Sequence, residues 1–133
     1  MVDIFYKVNA NLNGDQVAEL FKKSGINRPV DQPDRIQKMI DNSDLIVTAW
    51  DNSKLVGIAR SLTDFHYCCY LSDLAVDEDY QNCGIETELI NRTRAQLTDE
   101  VTLVLLSAPS AMTYYPKQGF DKADCAWIIK RKV

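Results

Sequence analysis

The residues best suited to chemistry fall in one stretch, Asp73-Leu74-Ala75-Val76, continuing through Asp77-Glu78-Asp79-Tyr80 into Gln81-Asn82-Cys83-Gly84-Ile85-Glu86-Thr87. A short apolar run ends in an acidic turn, and a glycine-containing segment then opens a helical pattern. In that pattern Leu89, Ile90, Thr93 and Leu97 recur at three- and four-residue spacing. A strand, a loop and a helix start in this order aim several backbone N–H groups and the positive end of a helix dipole at one point. Such a point binds anions, and phosphate best of all. Backbone donors require no particular side chain, only room to approach, which glycine at position 84 supplies.

The elements that must position this corner can be read along the chain. Val2 to Val8 alternates β-branched and aromatic residues and predicts a strand. Asn11 to Gly14 is a turn able to cap a helix with the apolar face Val17, Leu20, Phe21, and Gly25 stands where that helix ends. Pro33 suits the first turn of a second helix, whose face is Ile36, Met39 and Ile40. Leu45 to Trp50 and Leu55 to Leu62 predict a hairpin about the turn Asp51-Asn52-Ser53, with Gly57 marking a bulge or a close approach. Tyr67 to Val76 is the long strand that feeds the anion corner. After the helix from Gly84 to Leu97, the continuous apolar run Val101 to Leu106 predicts a strand covered on both faces. Pro109 opens a short helix through Tyr115, Gly119 ends it, and Ala126 to Lys130 predicts a final strand. The order is β-α-α-β-β-β-α-β-α-β, an α/β domain with a mixed, mostly antiparallel sheet, and residues 1–133 read as a single unit without linker or repeat.

Composition bounds the function. A chain of 133 residues, 46% hydrophobic and 26% charged, can bury a core without disulfide or metal. The net charge of −4, with dispersed Lys and Arg, argues against nucleic acid as a partner. No apolar run has the length of a membrane span and no signal-peptide pattern opens the chain, so a cytoplasmic location is expected. Cys68, Cys69, Cys83 and Cys125 match neither a metal-ligand nor a redox spacing, and with His66 as the single histidine no metal is expected. Cys83 lies at a helix start, where thiols are acidified; an inert thiol is the expectation.

Two separated motifs carry a family resemblance. Gln81-x-x-Gly84-x-Glu86 resembles the acyl-CoA loop of the GNAT superfamily of N-acyltransferases, Gln or Arg, two residues, Gly, one residue, then Gly or Ala. Ala111-x-x-Tyr114-Tyr115-Pro116-Lys117-Gln118-Gly119-Phe120 resembles that family's second signature, A-x-x-F-Y-x-K-x-G-F. The order of elements is also similar, so the resemblance covers nearly the whole chain. It implies a GNAT-like sheet whose fourth and fifth strands splay apart, here Tyr67–Val76 and Val101–Leu106, with the acyl-pantetheine arm in the gap. Backbone groups of Leu74, Ala75 and Val76 would pair with that arm, and the amides of Gln81, Asn82, Cys83, Gly84, Ile85, Glu86 and Thr87 would hold the pyrophosphate. The implied activity is N-acetyl transfer from acetyl-CoA directly to a primary amine of a small molecule or protein, without metal. By family habit a homodimer is expected.

The chain departs from the pattern at two places. Glu86 stands where the family has Gly or Ala. A carboxylate ~6 Å from the phosphates, at an effective dielectric of about 20, costs ~3 kcal/mol. The expectation is that it turns into water, where the helix dipole favours it. Ala108 replaces an Asn that in many members contacts the pantetheine arm, a loss of about 1 kcal/mol. These departures motivate the alternative reading, an acyl-CoA-binding regulatory protein that kept the fold and lost turnover.

The resemblance assigns Tyr115 as the acid that protonates the leaving thiolate, a task its phenol can perform. For the base, Asp73 is the candidate, with a structural hydrogen-bond acceptor as its equal alternative. His66 has a suitable intrinsic pKa but lies in a turn. Arg60 and Asp64 fall where the acceptor cavity would open, and an exposed ion pair is expected of Arg60.

Overall fold

The sheet is built around a strand in which every residue from Leu45 to Trp50 is buried. The computed structural model describes residues 3–108, 112 and 114–133. That strand, β2 (Leu45–Asp51), pairs antiparallel with β1 (Ile4–Val8) on one side and β3 (Lys54–Thr63) on the other. Next to β3 lies β4 (Cys68–Val76), antiparallel, and beyond it β5 (Thr102–Leu105), parallel to β4. A parallel neighbour needs a crossover, and the helix α3 (Ile85–Ala95) provides it.

Local chemistry sets the first two helices. Asn13 caps α1 (Gly14–Ser24) by accepting from the Gln16 amide at 2.7 Å. Gly25, at φ +81°, ends it in the left-handed conformation that glycine adopts freely. Pro33 opens α2 (Pro33–Asp41), where its missing N–H costs nothing. Val17, Leu20, Phe21 and Ile36 of these helices pack with Ile46, Ile58 and Ala75 on one sheet face. Ile85 and Leu89 of α3 pack with Val47, Val56, Leu71 and Val76 on the other. Gly57 lets α3 approach: a Cβ there would lie 3.1 Å from Leu89 Cδ1 and 3.2 Å from Ile85 Cγ2. A bulge adjoins it, since the register passes from Ala49↔Gly57 to Trp50↔Leu55 and skips Val56.

The splay between the fourth and fifth strands has a visible cause. β5 pairs with β4 only from Cys68↔Thr102 to Leu71↔Leu105. Directly beyond, Ser72 is skipped in the register between Ser61↔Leu71 and Arg60↔Asp73, an extra residue that turns β4 away. From Ser72 to Val76 the outer edge of β4 has no strand beside it among the described residues.

The last elements differ from expectation. Ala126–Lys130 is not a strand: Trp127 and Ile129 are 97% and 99% exposed, and the tail runs off to α2, where Arg35 Nη2 donates to the Val133 carbonyl at 3.2 Å. An apolar, β-branched run favours a strand only where it pairs with an edge, and this one pairs with neither the β4 nor the β5 edge. For the same reason β5, expected to be covered on both faces, is an edge strand alternating exposed and half-buried residues. The expected helix start at Pro109 lies outside the described residues, as do Val2 and Ala111. What is seen is a 3-10 turn, Tyr115–Gln118, with Pro116 near its start and Gly119 at φ +88° ending it. Among the described residues no helix is long and apolar enough to cross a membrane.

Candidate functional site

The open edge of β4 runs directly into the acidic turn. Asp77, almost fully buried, caps a short 3-10 turn (Glu78–Tyr80) by accepting from the Asp79 amide at 2.9 Å. Lys54 Nζ stands 3.6 Å from the same carboxylate, and the Tyr80 hydroxyl donates to the Asp51 carboxylate, which pushes that phenol up to about 12. The acidic turn is thereby latched to the β2–β3 hairpin. The side chain of Gln81 folds back, its Nε2 donating to the Val76 carbonyl at 2.9 Å.

The loop then passes through two left-handed residues, Asn82 (φ +64°) and Gly84 (φ +82°), and Gly84 caps α3. Nothing lies within 4 Å of where a Gly84 Cβ would be, so the space before the helix is open. The first helical hydrogen bond runs from the Glu88 amide to the Gly84 carbonyl at 3.1 Å. The amides of Ile85, Glu86 and Thr87 find no acceptor among the described residues. Unpaired first-turn donors at the positive end of a helix dipole form an anion-binding point. Cys83 is exposed on this loop, its Sγ 3.6 Å from the Gln81 carbonyl.

Glu86 does not turn into water as expected. It is half-buried, and burial pushes its carboxyl up from the ordinary value. Its neighbour is the aromatic cluster of the C-terminal segment. The Tyr114 and Tyr115 rings meet edge-on at 5.2 Å, and Tyr115 meets Phe120 edge-on at 5.6 Å. The Tyr114 hydroxyl lies 3.3 Å from Thr87 Oγ1, tying this segment to the first turn of α3. Burial first, then the charges of Tyr114 and Glu86, raise the Tyr115 phenol above its ordinary value. Tyr115 also lines a cleft of about 630 Å³ between β5 and the segment 115–126.

Asp73 lies on the opposite face and is wholly buried. One carboxylate oxygen accepts from Arg28 Nε at 2.6 Å and the other from Arg60 Nε. Both oxygens are taken by guanidinium groups, so the arrangement offers neither of them to a substrate amine. Arg60, expected in an exposed ion pair, is instead buried, and also donates to Ser43 Oγ and Ser72 Oγ, each at 3.1 Å. Asp64 builds its own turn: one oxygen accepts from the amides of His66, Tyr67 and Cys68, which lowers its carboxyl to about 2. His66 is exposed in that turn, remote in structure from the Asp73 pair.

The structure therefore gathers Leu74, Ala75, Val76, the 81–87 loop and Tyr115 around one corner, and sets Asp73 behind it in an ion cluster. Arg28 and Ser72 were not signalled by sequence, and Tyr114 was signalled only as a member of the second signature, not as a partner of Thr87. The charged Arg60 and Asp73 inside apolar strands were the available hint that partners had to exist.

Comparison with known proteins agrees with the fold. Residues 12–126 match the family model described as Acetyltransferase (GNAT) domain. The chain is 28% identical over 127 residues to ycf52 of Pyropia yezoensis, described as an uncharacterized N-acetyltransferase, covering 90% of this chain and 71% of that protein. Among solved structures, a GNAT-family acetyltransferase of Streptococcus pneumoniae superimposes with TM-score 0.78 at 22% identity, covering 97% of this chain and 98% of that one. The Escherichia coli GNAT-family N-acetyltransferase YhbS, solved in complex with CoA, gives TM-score 0.72 at 17% identity over 91% of this chain and 70% of that one.

Proposed function

Because the chain belongs to the GNAT acetyltransferase family, we propose that this N-acetyltransferase moves an acetyl group from acetyl-CoA directly to a primary amine. The observation that carries the reading is the coincidence of three features at one corner. These are the β4 edge beyond Leu71 and the first-turn amides of α3, both without partners among the described residues, and Tyr115 tied to that turn through Tyr114 and Thr87.

In this reading the backbone of Leu74, Ala75 and Val76 pairs with the pantetheine arm, which takes the place of the missing strand. The amides from Gln81 to Thr87 hold the diphosphate. Bound there, acetyl-CoA supplies an activated thioester. The chain's own residues orient it, exclude water and manage the proton. Tyr115, whose phenol burial keeps protonated across the neutral range, donates to the departing sulfur. Asp73 anchors Arg28 and Arg60; the acceptor amine enters in its neutral form, and the proton it sheds on attacking the thioester passes to water while Tyr115 supplies the one the sulfur takes up.

Glu86 supports a second reading, in which acyl-CoA is bound without turnover. Its half-buried carboxylate stands at the corner where the diphosphate would sit. Calorimetry with acetyl-CoA, combined with thiol release over an amine panel, separates the two. Binding with amine-dependent thiol release supports the transferase, and binding without it supports the second reading. A homodimer fits either one, supported by the outer edge of β5, which has no strand beside it among the described residues, and by the exposed Trp127, Ile128 and Ile129.

A further inference from the structure

The buried ion cluster behind the corner is unbalanced. Two guanidinium groups, Arg28 and Arg60, face the single carboxylate of Asp73. Each remaining polar contact of these arginines is to a neutral group: the Asn27 carbonyl at 2.7 Å and the Ser72 carbonyl at 2.9 Å for Arg28, and Ser43, Ser72 and the Met39 carbonyl for Arg60. One positive charge is therefore without a second carboxylate in ion-pair contact among the described residues, and Arg60 and Asp73 are 8% and 0% exposed at their side chains. An excess charge that is partly withdrawn from water favours a counter-charge joining it. Arg28, at 26%, is the member the solvent reaches. Of its five N–H groups, Nε, one on Nη1 and one on Nη2 are engaged, which leaves two with no protein acceptor among the described residues.

The placement of this charge matters. Successive residues of β4 alternate faces beyond the bulge. Leu74 and Val76 belong with α3, whereas Ala75 packs with α1 and α2 and Asp73 pairs with Arg28 of the connector between those helices. Acetyl-CoA held at the N-terminus of α3 fills the gap from the α3 side. An acceptor must then reach the gap from the other face, where Arg28 stands over the Ser72 bulge. Beside the bulge on that face runs a cross-strand row, Leu62↔Tyr70↔Val104, whose members are 41%, 38% and 44% exposed. Their neighbours Leu71, Leu103 and Leu105 belong to the α3 side, so this row faces away from it.

From this juxtaposition we infer that the acceptor is an amine that also carries a carboxylate and an apolar body, as an apolar α-amino acid does. The carboxylate meets the free donors of Arg28, and the apolar body lies on Leu62, Tyr70 and Val104. The inference rests on the transferase reading and names its substrate class. A charge-assisted contact of this kind is worth about 10- to 100-fold in affinity.

The test compares L-phenylalanine, its amide and 2-phenylethylamine in thiol release at saturating acetyl-CoA, at equal concentrations of neutral amine. Calorimetry of acetyl-CoA binding is run on the same protein. The expected result is a preference of about 10-fold or more in kcat/KM for L-phenylalanine. Arg28→Gln should reduce that preference toward unity through KM, and Arg28→Lys, which keeps the charge, should restore part of it. Equal use of the amide or 2-phenylethylamine by the unaltered protein overturns the inference and leaves the transferase reading intact. Absence of acetyl-CoA binding overturns both, and the calorimetry tells the two failures apart. The unaltered-protein comparison stands even if an Arg28 variant does not fold.

Discussion

Asp73 and Arg28 meet at 2.6 Å across 45 residues of sequence, joining the connector between α1 and α2 to the strand that borders the proposed cofactor gap. Arg28 Nη2 also caps the Ser72 carbonyl at 2.9 Å, at the residue that turns β4 away from β5. The pair thus holds the bulge, and the bulge opens the edge on which the proposed binding mode depends.

Breaking this cluster should cost stability before it costs chemistry. Asp73→Asn leaves the buried Arg60 and the partly exposed Arg28 without their carboxylate, and about 3–5 kcal/mol of folding free energy should be lost. Urea denaturation checks this. An Asn variant as stable as the parent but inactive would return Asp73 to the role of base.

Tyr115→Phe should lower turnover by about 10²- to 10⁴-fold, the usual contribution of a positioned acid. Acetyl-CoA affinity should barely change, since the phenol is assigned to the sulfur. The phenol is raised above its ordinary value of 10.0, so its proton is lost only as pH rises beyond that value. Activity should accordingly show no Tyr115-dependent decline across the neutral range, and any such decline should come only at alkaline pH, measured as the ratio of parent to Phe variant across pH.

Glu86 should make acetyl-CoA binding pH-dependent. Its carboxyl is raised above 4.5 by burial, so the neutral form persists to higher pH than in a free side chain. The neutral form does not repel a diphosphate and the ionised form does. Affinity should fall as pH rises through the Glu86 pKa and then level off. Glu86→Gln should remove that part of the pH dependence and strengthen binding at neutral pH by up to about a hundredfold. Subtracting the Gln variant's calorimetric profile removes the titration of the ligand itself.

Tyr114→Phe and Thr87→Val remove opposite ends of the same contact. Each should weaken the coupling of the Tyr115 segment to α3, at about 0.5–1.5 kcal/mol in kcat/KM. The double variant should lose no more than the larger single loss. Additive losses in that cycle would show that the 3.3 Å contact carries no coupling.

Much of this arrangement could be read in the chain because it is written in local pattern. The buried run Leu45–Trp50, the hairpin that follows and the caps at Asn13, Gly25 and Pro33 depend on neighbours in sequence, and the structure has all of them. The glycine at 84 was expected for room, and it also answers a backbone need, a left-handed residue at the helix start. Long-range facts were hidden. Nothing near Arg28 announces a partner 45 residues away, and Arg60 looked exposed because the strand's buried side cannot be deduced from one charge. Ala126–Lys130 has the composition of a strand but pairs with neither open edge of the sheet, and pairing is a property of two segments rather than one. Glu86 had two open directions, and its half-burial, close enough to Tyr115 for its charge to act on that phenol, was invisible in sequence.

The most direct measurement is a titration of ¹⁵N-labelled protein with acetyl-CoA, followed by backbone amide resonances. The account expects saturable shifts concentrated at Gln81–Thr87, where the diphosphate is held, and at Leu74–Val76, where the pantetheine arm pairs with β4. Shifts confined to other parts of the chain, or none at millimolar ligand, would contradict it.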